Sequence, residues 1–425
     1  MEEIAIVDGV RTPFAKAWGA FEAIPAQQLG ALCVAELLRK TRLVARSVGE
    51  VIMGCVAQPP EASNVARVVG LLAGLPDGVP ASTVSRNCAS GFEAITSAAA
   101  KVRCGTHGGV IAGGTESMSN MPLLFSKEAA VFFRKLSKEK TFFGKLKTLG
   151  GARFRDFRPQ DSMRLGLTDP VSGLNMGQTA EALAEEFGIT REEQDRFALE
   201  SHVRAARAAE KLREETMDVP VPGAPGSFVR DDTGVRKNQT YEALEKLGPV
   251  FKKQGGTVTA GNASPVSDGA CAMLLMTKAR AKEAGFEVLG YLRDAVYVGL
   301  APARMGLGPV FAIEKILRRN DFKLKDIGLF EINEAFAAQV LACLRALASE
   351  AFAKRHFPSG RAVGEIPREV LNVNGGAIAL GHPVGTSGAR LVLTCLKEME
   401  RRGTRRGLVA ACVGGGQGAA LILER

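Results

Sequence analysis

STVSRNCASGFEAITSAAAKVR, residues 82–103, is the stretch on which the fold turns. Thr83 and Val84 are β-branched and suit a strand, Arg86 and Asn87 suit a polar turn, and the Ala, Gly and Ser run broken by Phe92, Ile95 and Val102 suits a helix. Strand, tight turn and helix together place the thiol of Cys88 in the first helical turn. Unpaired N–H groups and the positive end of the macrodipole favour a thiolate there, so Cys88 is a candidate nucleophile. The helix carries little charge or bulk on any face, which predicts packing on several sides at the centre of the molecule. The other reading of a cysteine is a small core residue, and it fits Cys33, Cys55, Cys104, Cys271, Cys343 and Cys395. Position alone leaves Cys88 evenly between the two.

Around this stretch, strands and helices alternate. Residues 4–7 read as a strand, 26–40 as an amphipathic helix, 51–56 as a strand-length apolar run and 64–73 as a short helix closed by Gly74 and Pro76. After the Cys88 unit come a strand over 109–112 and a turn at Gly113 and Gly114. The strands are apolar throughout rather than at every second residue, which predicts an α/β fold with a sheet covered on both faces. The second half repeats the order: helix 309–319, strand 327–332, helix 335–347, a run at 370–373, a Gly-rich turn, helix 386–401, strand 408–412, three glycines, and strand 419–423. Such a repeat predicts two similar domains facing each other with a site between them.

The chain has 425 residues, 46% of them hydrophobic, enough for about two to three domains. Eight cysteines without a CxxC pair do not form a disulfide framework, and four scattered histidines assemble no metal site. The first residues, MEEIAIVDGVRTPF, enter a strand without a basic leader, and no apolar window approaches the roughly 20 residues of a membrane span. A cytoplasmic location is the expectation. The net charge of +10 raises the question of nucleic acid, but its distribution answers against it. Residues 121–165 hold 11 Lys and Arg against 4 Asp and Glu, together with seven phenylalanines. Paired Phe among basic residues suits an interfacial helix or hairpin with peripheral membrane contact; the alternative is a solvated helical pair docked on the body or on a partner. This segment opens a long excursion over residues 120–256. The excursion holds a helix over 190–212 with Thr190 and Glu193 as a capping box, and reads as a layer or lid over the site.

The chemistry lies toward the C-terminal end. In NGGAIALGHPVGTSG, His382 is fixed between Gly381 and Pro383 directly before a helix, placed to take the thiol proton of Cys88. In VAACVGGGQG, Cys412 ends a strand and precedes three glycines whose N–H groups can approach a ligand. That run leads from strand to strand and so does not suit a dinucleotide fingerprint. Asn333, at a strand end, offers an amide that can hold a water or an oxyanion.

Six stretches in order, NCASGFEA at Asn87, NMGQTAE at Asn175, GNASPVSDGA at Gly261, NEAF at Asn333, GHPVGTSG at Gly381 and CVGGGQG at Cys412, make the chain resemble a thiolase over essentially its full length. The 3-ketoacyl-CoA thiolases are the nearer branch. The resemblance implies the thiolase fold: two similar α/β domains in five α-β-α-β-α layers, formed by residues 1–119 with 257–285 and by residues 286–425, with 120–256 as an inserted loop domain that binds CoA. It implies Cys88 as the acyl-accepting nucleophile, His382 as its base and Cys412 as a second acid/base. Asn333 (through a water) and His382 would form one oxyanion hole, and the N–H groups of Cys88 and Gly414 the other. Met176, Ser264, Ala335 and Phe336 would line the CoA channel. CoA would be a substrate, with no cofactor and no metal, and the protein a homodimer or higher assembly.

The Phe-rich insertion and the run TDPVSGLNMGQTAE look like the thiolase subunit of fatty-acid β-oxidation complexes, which implies contact with a membrane and with a subunit carrying hydratase and dehydrogenase activities. That subgroup often has His where Asn333 stands, and short-chain biosynthetic thiolases commonly have His at the position of Asn175. Longer 3-ketoacyl-CoA substrates are therefore expected ahead of acetoacetyl-CoA. A decarboxylating ketosynthase lacks the second catalytic Cys, and a non-catalytic thiolase-like lipid carrier typically lacks one of the reactive residues present here.

Overall fold

The computed structural model describes residues 2–105 and 108–425; His107, one of the four histidines, lies outside them. Nine principal strands and the short pair Ala15–Lys16 form a ten-stranded mixed sheet. In chain order they are β1 (Ile4–Arg11), β2 (Glu50–Gly54), β3 (Ala81–Val84), β4 (Gly109–Ser117), β5 (Ser267–Thr277), β6 (Gly290–Gly299), β7 (Leu329–Ile332), β8 (Arg406–Val413) and β9 (Gln417–Glu424). The principal helices are α1 (Ala26–Thr41), α2 (Val65–Leu72), α3 (Ser90–Arg103), α4 (Lys127–Lys138), α5 (Phe142–Gly150), α6 (Met176–Glu186), α7 (Arg191–Arg207), α8 (Gly308–Arg319), α9 (Ala337–Ala348) and α10 (Ser387–Arg402).

The internal repeat is visible in the strand order. The first half runs β3-β2-β4-β5-β1, and the second runs β7-β8-β9-β6, with Leu371 bridged to Phe330 of β7 in the place of β3. In both halves the inner pairings of the second strand are parallel and the last two pairings antiparallel. The halves join where β1 meets β6, with Ile4 opposite Leu292.

Alternation along the strands builds the layers. Ile4 and Ile6 face a central core shared with Phe92 and Ile95 of α3 and Leu391 and Leu396 of α10, while Ala5 and Val7 face the outer core under α1 and α2. In the second half, Val409 and Leu421 face the central core, and Leu408 and Ile422 face the opposite outer core with α8 and α9. Helices, sheet, paired central helices, sheet and helices make five layers. Each fully buried Phe or Leu contributes about 1.5–3 kcal/mol. α3 and α10 touch nearly backbone to backbone: a Cβ on Gly91 would lie 2.5 Å from the Ala389 nitrogen, and one on Gly388 2.7 Å from that of Phe92.

Several local expectations are corrected. Gly113 and Gly114 do not turn the chain; both lie inside β4. They are small because other backbone lies against them: a Cβ would come 1.9 Å from the Cys271 carbonyl oxygen and 2.2 Å from that of Gly385, respectively. Cys104 is exposed, not core, because it caps the end of α3. The helix expected over 190–212 opens on its Thr190–Glu193 capping box but ends at Arg207, resuming as Ala209–Arg213. The helix after NEAF starts at Ala337, leaving Ala335 at a bend and Phe336 extended.

Candidate active site

Cys88 sits one residue before the cap of α3, and not in its first turn. Asn87 takes a left-handed φ of 43°, which Asn tolerates better than most residues, and the turn is locked by Ser90, whose Oγ accepts from Arg86 N–H at 2.8 Å and donates to the Asn87 carbonyl at 2.7 Å. The Asn87 amide donates to the Gly414 carbonyl at 2.8 Å, tying the Cys88 turn to the glycines after β8. Gly414 N–H and the N–H of Cys88 itself are directed at the thiol.

The Cys88 residue is half-buried, and desolvation of its sulfur pushes the thiol above its ordinary value, with the two N–H groups acting the other way and the Glu116 carboxylate adding to the rise. This direction runs against the thiolate expected from position: Cys88 lies before the cap rather than in the first turn, and desolvation weighs more than the two N–H groups. Cys412 is fully buried at the end of β8, and its thiol is held well above the usual range by burial, then by the neighbouring Cys88 and Cys343 sulfurs.

His382 is buried in the turn before α10. Its backbone N–H donates to Ser267 Oγ at 3.2 Å, its Nδ1 lies 2.6 Å from Ser387 Oγ, and Ser387 Oγ donates to the Pro383 carbonyl at 3.0 Å. With the serine proton committed to Pro383, Nδ1–H donates to Ser387 and the Nε2 lone pair is turned toward the Asn333 amide. Burial, helped by Arg390, lowers the imidazole to about 4, so it is neutral at physiological pH. Asn333 follows β7, with its N–H on the Ala410 carbonyl at 2.9 Å and its Nδ2 3.4 Å from His382 Nε2. Its buried Oδ1 has no partner among the described residues.

Cys88, His382, Cys412, Gly414, Met176, Ser264, Ala335 and Phe336 all line one cavity of about 510 Å³. Asn333 lies behind His382 rather than on the wall. One wall of the cavity is a pairing of two segments: Ser264 N–H and Oγ both donate to the Ala335 carbonyl, at 3.0 and 3.1 Å, and Ala263 bridges Phe336. Phe336 meets Phe251 edge to face at 6.0 Å, and Phe251 lies over Gly177 of α6. Asn175 is the N-cap of α6 in a capping box with Gln178, so its side chain is spent on backbone and Met176 is presented to the cavity.

The sequence reading missed Ser387, Phe251, Met305 and Glu116, all at or beside this cavity. For Glu116 there was a signal: a carboxylate within a run of buried strand residues, passed over because the strand was ended early at Ala112.

A half-buried thiol sharing one cavity with a neutral imidazole, converging N–H donors and a second, buried thiol can form and resolve a thioester. The descriptions "Thiolase, N-terminal domain" and "Thiolase, C-terminal domain" match residues 4–279 and 286–425, and the chain belongs to the thiolase family of acyltransferases. Within it, the chain is 41% identical to a 3-ketoacyl-CoA thiolase of Pseudoalteromonas translucida and 42% identical to one of Citrobacter koseri, covering all of this chain and 97% of each relative. Among solved structures, acetyl-CoA acetyltransferase of Bacillus anthracis superposes with a TM-score of 0.87, covering all of this chain and 99% of that one, at 35% identity. Human mitochondrial 3-ketoacyl-CoA thiolase in complex with CoA gives 0.85, with 100% and 98% covered, also at 35%.

Proposed function

We infer that this protein is a 3-ketoacyl-CoA thiolase of fatty-acid degradation, converting a 3-ketoacyl-CoA and CoA into acetyl-CoA and an acyl-CoA two carbons shorter. The observation that carries this reading is the meeting of Cys88, Cys412 and a neutral His382 on one cavity.

His382 Nε2 takes the Cys88 proton as the sulfur attacks the C3 carbonyl. The C2–C3 bond breaks, its electron pair passing to C2 as the enolate of acetyl-CoA, and the Cys412 thiol protonates that carbon. The high Cys412 value suits a group that must stay protonated until this step. After acetyl-CoA leaves, an incoming CoA gives its thiol proton to Cys412 and its sulfur attacks the acyl carbonyl. Cys88 departs and recovers its proton from His382. Gly414 and Cys88 N–H groups form one oxyanion site, and His382 with Asn333, acting through a water, forms the other. Each such donor is worth about 2.7–4 kcal/mol of barrier. Met176, Ser264, Ala335 and Phe336 line the path of the CoA arm.

The same reading divides the chain into 1–119 with 257–285, 120–256 and 286–425; the return of β5 to the first half's sheet supports it. The hairpin α4–α5 and the short turn after it place Phe142, Phe143 and Phe154 in solvent among basic residues, which supports peripheral contact with an anionic membrane or with a hydratase/dehydrogenase subunit of a cytoplasmic complex. Among the described residues no helix is long and apolar enough to cross a membrane. CoA-dependent loss of the Mg-enolate absorbance of 3-ketoacyl-CoA across chain lengths tests the activity. Cleavage of acetoacetyl-CoA alone would move the reading to the short-chain acetyltransferases, and no cleavage of any length to a carrier.

A further inference from the structure

The turn that carries His382 is fastened to the rest of the site by a carboxylate that no step above uses. Glu116, at the end of β4, is buried and lines the cavity with Cys88 and His382. Its Oε1 accepts Ala57 N–H at 2.9 Å and lies 3.6 Å from Cys55 Sγ; its Oε2 accepts Gly385 N–H at 2.8 Å and Val56 N–H at 3.2 Å. Every one of these partners is a donor; burial pushes the carboxyl above its ordinary value, and the three backbone N–H groups and the Cys55 thiol, not a Lys or Arg, act against that rise. A carboxylate accepts at both oxygens, and its bonds from N–H groups are stronger than those of a neutral amide.

The geometry around Gly385 shows what the carboxylate holds. Gly385 is three residues past His382, its carbonyl rests on Gly114 of β4, and a Cβ on Gly385 would meet Glu116 Oε2 at 3.0 Å and Cys55 Cα at 3.1 Å. The turn is thus pinned at its start by Ser267 to the His382 N–H and in its middle by Glu116 to the Gly385 N–H. The same carboxylate holds the segment after β2 that forms the adjoining cavity wall.

Resting on the catalytic reading above, we propose that Glu116 is a positioning residue for the thiolase reaction: it clamps the His382 turn to the ends of β2 and β4 so that the imidazole meets the Cys88 thiol in a fixed geometry. A glutamine there would turn an NH2 group toward N–H donors on one side and release one segment or the other.

The test compares Glu116→Gln and Glu116→Asp in the parent and in a His382→Asn background, reading steady-state constants and the rate of Cys88 acylation from the mass of quenched protein. In the parent, Glu116→Gln is expected to lower kcat and acylation about 100-fold, the scale of a small misplacement of reacting groups, with KM within about threefold. Glu116→Asp, which keeps the charge on a shorter arm, is expected to retain part of the rate. In the His382→Asn background the glutamine should cost less than about threefold more, because the group it places is already gone. A parental rate within about threefold, or an equal loss in both backgrounds, overturns the proposal. Should Glu116→Gln fail to fold, the Asp variant is held to the same comparison between backgrounds. A His382→Asn enzyme as active as the parent overturns the assignment of the base itself, and with it any role that acts through that base.

Discussion

The Nδ1 of His382 and the Oγ of Ser387, the first residue of α10, lie 2.6 Å apart, and that contact engages one ring nitrogen while Nε2 is left toward the Asn333 amide. Replacing Ser387 by Ala should free the ring to take the other tautomer. The expected result is a kcat lowered about 10- to 100-fold, within the range contributed by a positioned base, with KM little changed and partial recovery in Ser387→Thr. An alanine variant with parental kcat would show that the ring is oriented by other means.

The two thiols should separate by step. Cys88→Ala should form no acyl-enzyme at all, whereas Cys412→Ala should form it with substrate present yet turn over at least about 100-fold more slowly, since proton delivery to C2 is lost. Labelled acyl group bound covalently to the Cys88→Ala protein would refute the assignment.

Because Cys88 is raised by burial, its alkylation by iodoacetamide in the His382→Asn variant should keep climbing with pH past the ordinary thiol value of 9.0. A plateau reached near neutrality would mean that the helix terminus, not burial, sets the thiol.

His202 and His382 are each lowered to about 4, in both cases chiefly by burial, from an ordinary 6.5. The unfolded chain therefore binds these protons first. Stability from keeping the rings neutral is complete above about 6.5 and is lost as pH falls from there toward 4. Urea midpoints should drop across that window, and His202→Gln should drop less steeply; parallel slopes for the two proteins would contradict the burial account.

Gly91→Ala should destabilise by about 1–3 kcal/mol in urea unfolding, since the new methyl has no room against Ala389 and neither central helix can withdraw without opening both sheets. Phe142→Ser with Phe143→Ser, at side chains 74% and 80% exposed, should abolish sedimentation with anionic vesicles while leaving thiolysis intact. Vesicle binding undiminished by both changes would remove the hairpin from consideration as the lipid contact.

Much of this was open to reading from residues alone. The bulk-free helix after Cys88 did announce a helix buried between two layers, and the fixed position of His382 between Gly381 and Pro383 did announce a rigid turn; both follow from side-chain size and backbone restriction, which are local. The strands were found but cut short, as at Ala112, because a glycine pair inside a strand looks the same as a turn until the crossing backbone is seen. Cys104 looked like core for a similar reason: its burial depends on what comes after α3.

The sequence by itself determined the element order and the repeat, since periodicity and caps belong to the chain, and its resemblance to the thiolases pointed to most of the groups that line the cavity. Only the tertiary structure decided that the Cys88 thiol is raised by desolvation, that His382 Nδ1 is engaged by Ser387 and that Glu116 receives its donors from two distant turns. Desolvation and hydrogen-bond direction depend on neighbours 61 and 269 residues away in the chain, as Cys55 and Gly385 are from Glu116, and no local pattern carries that information.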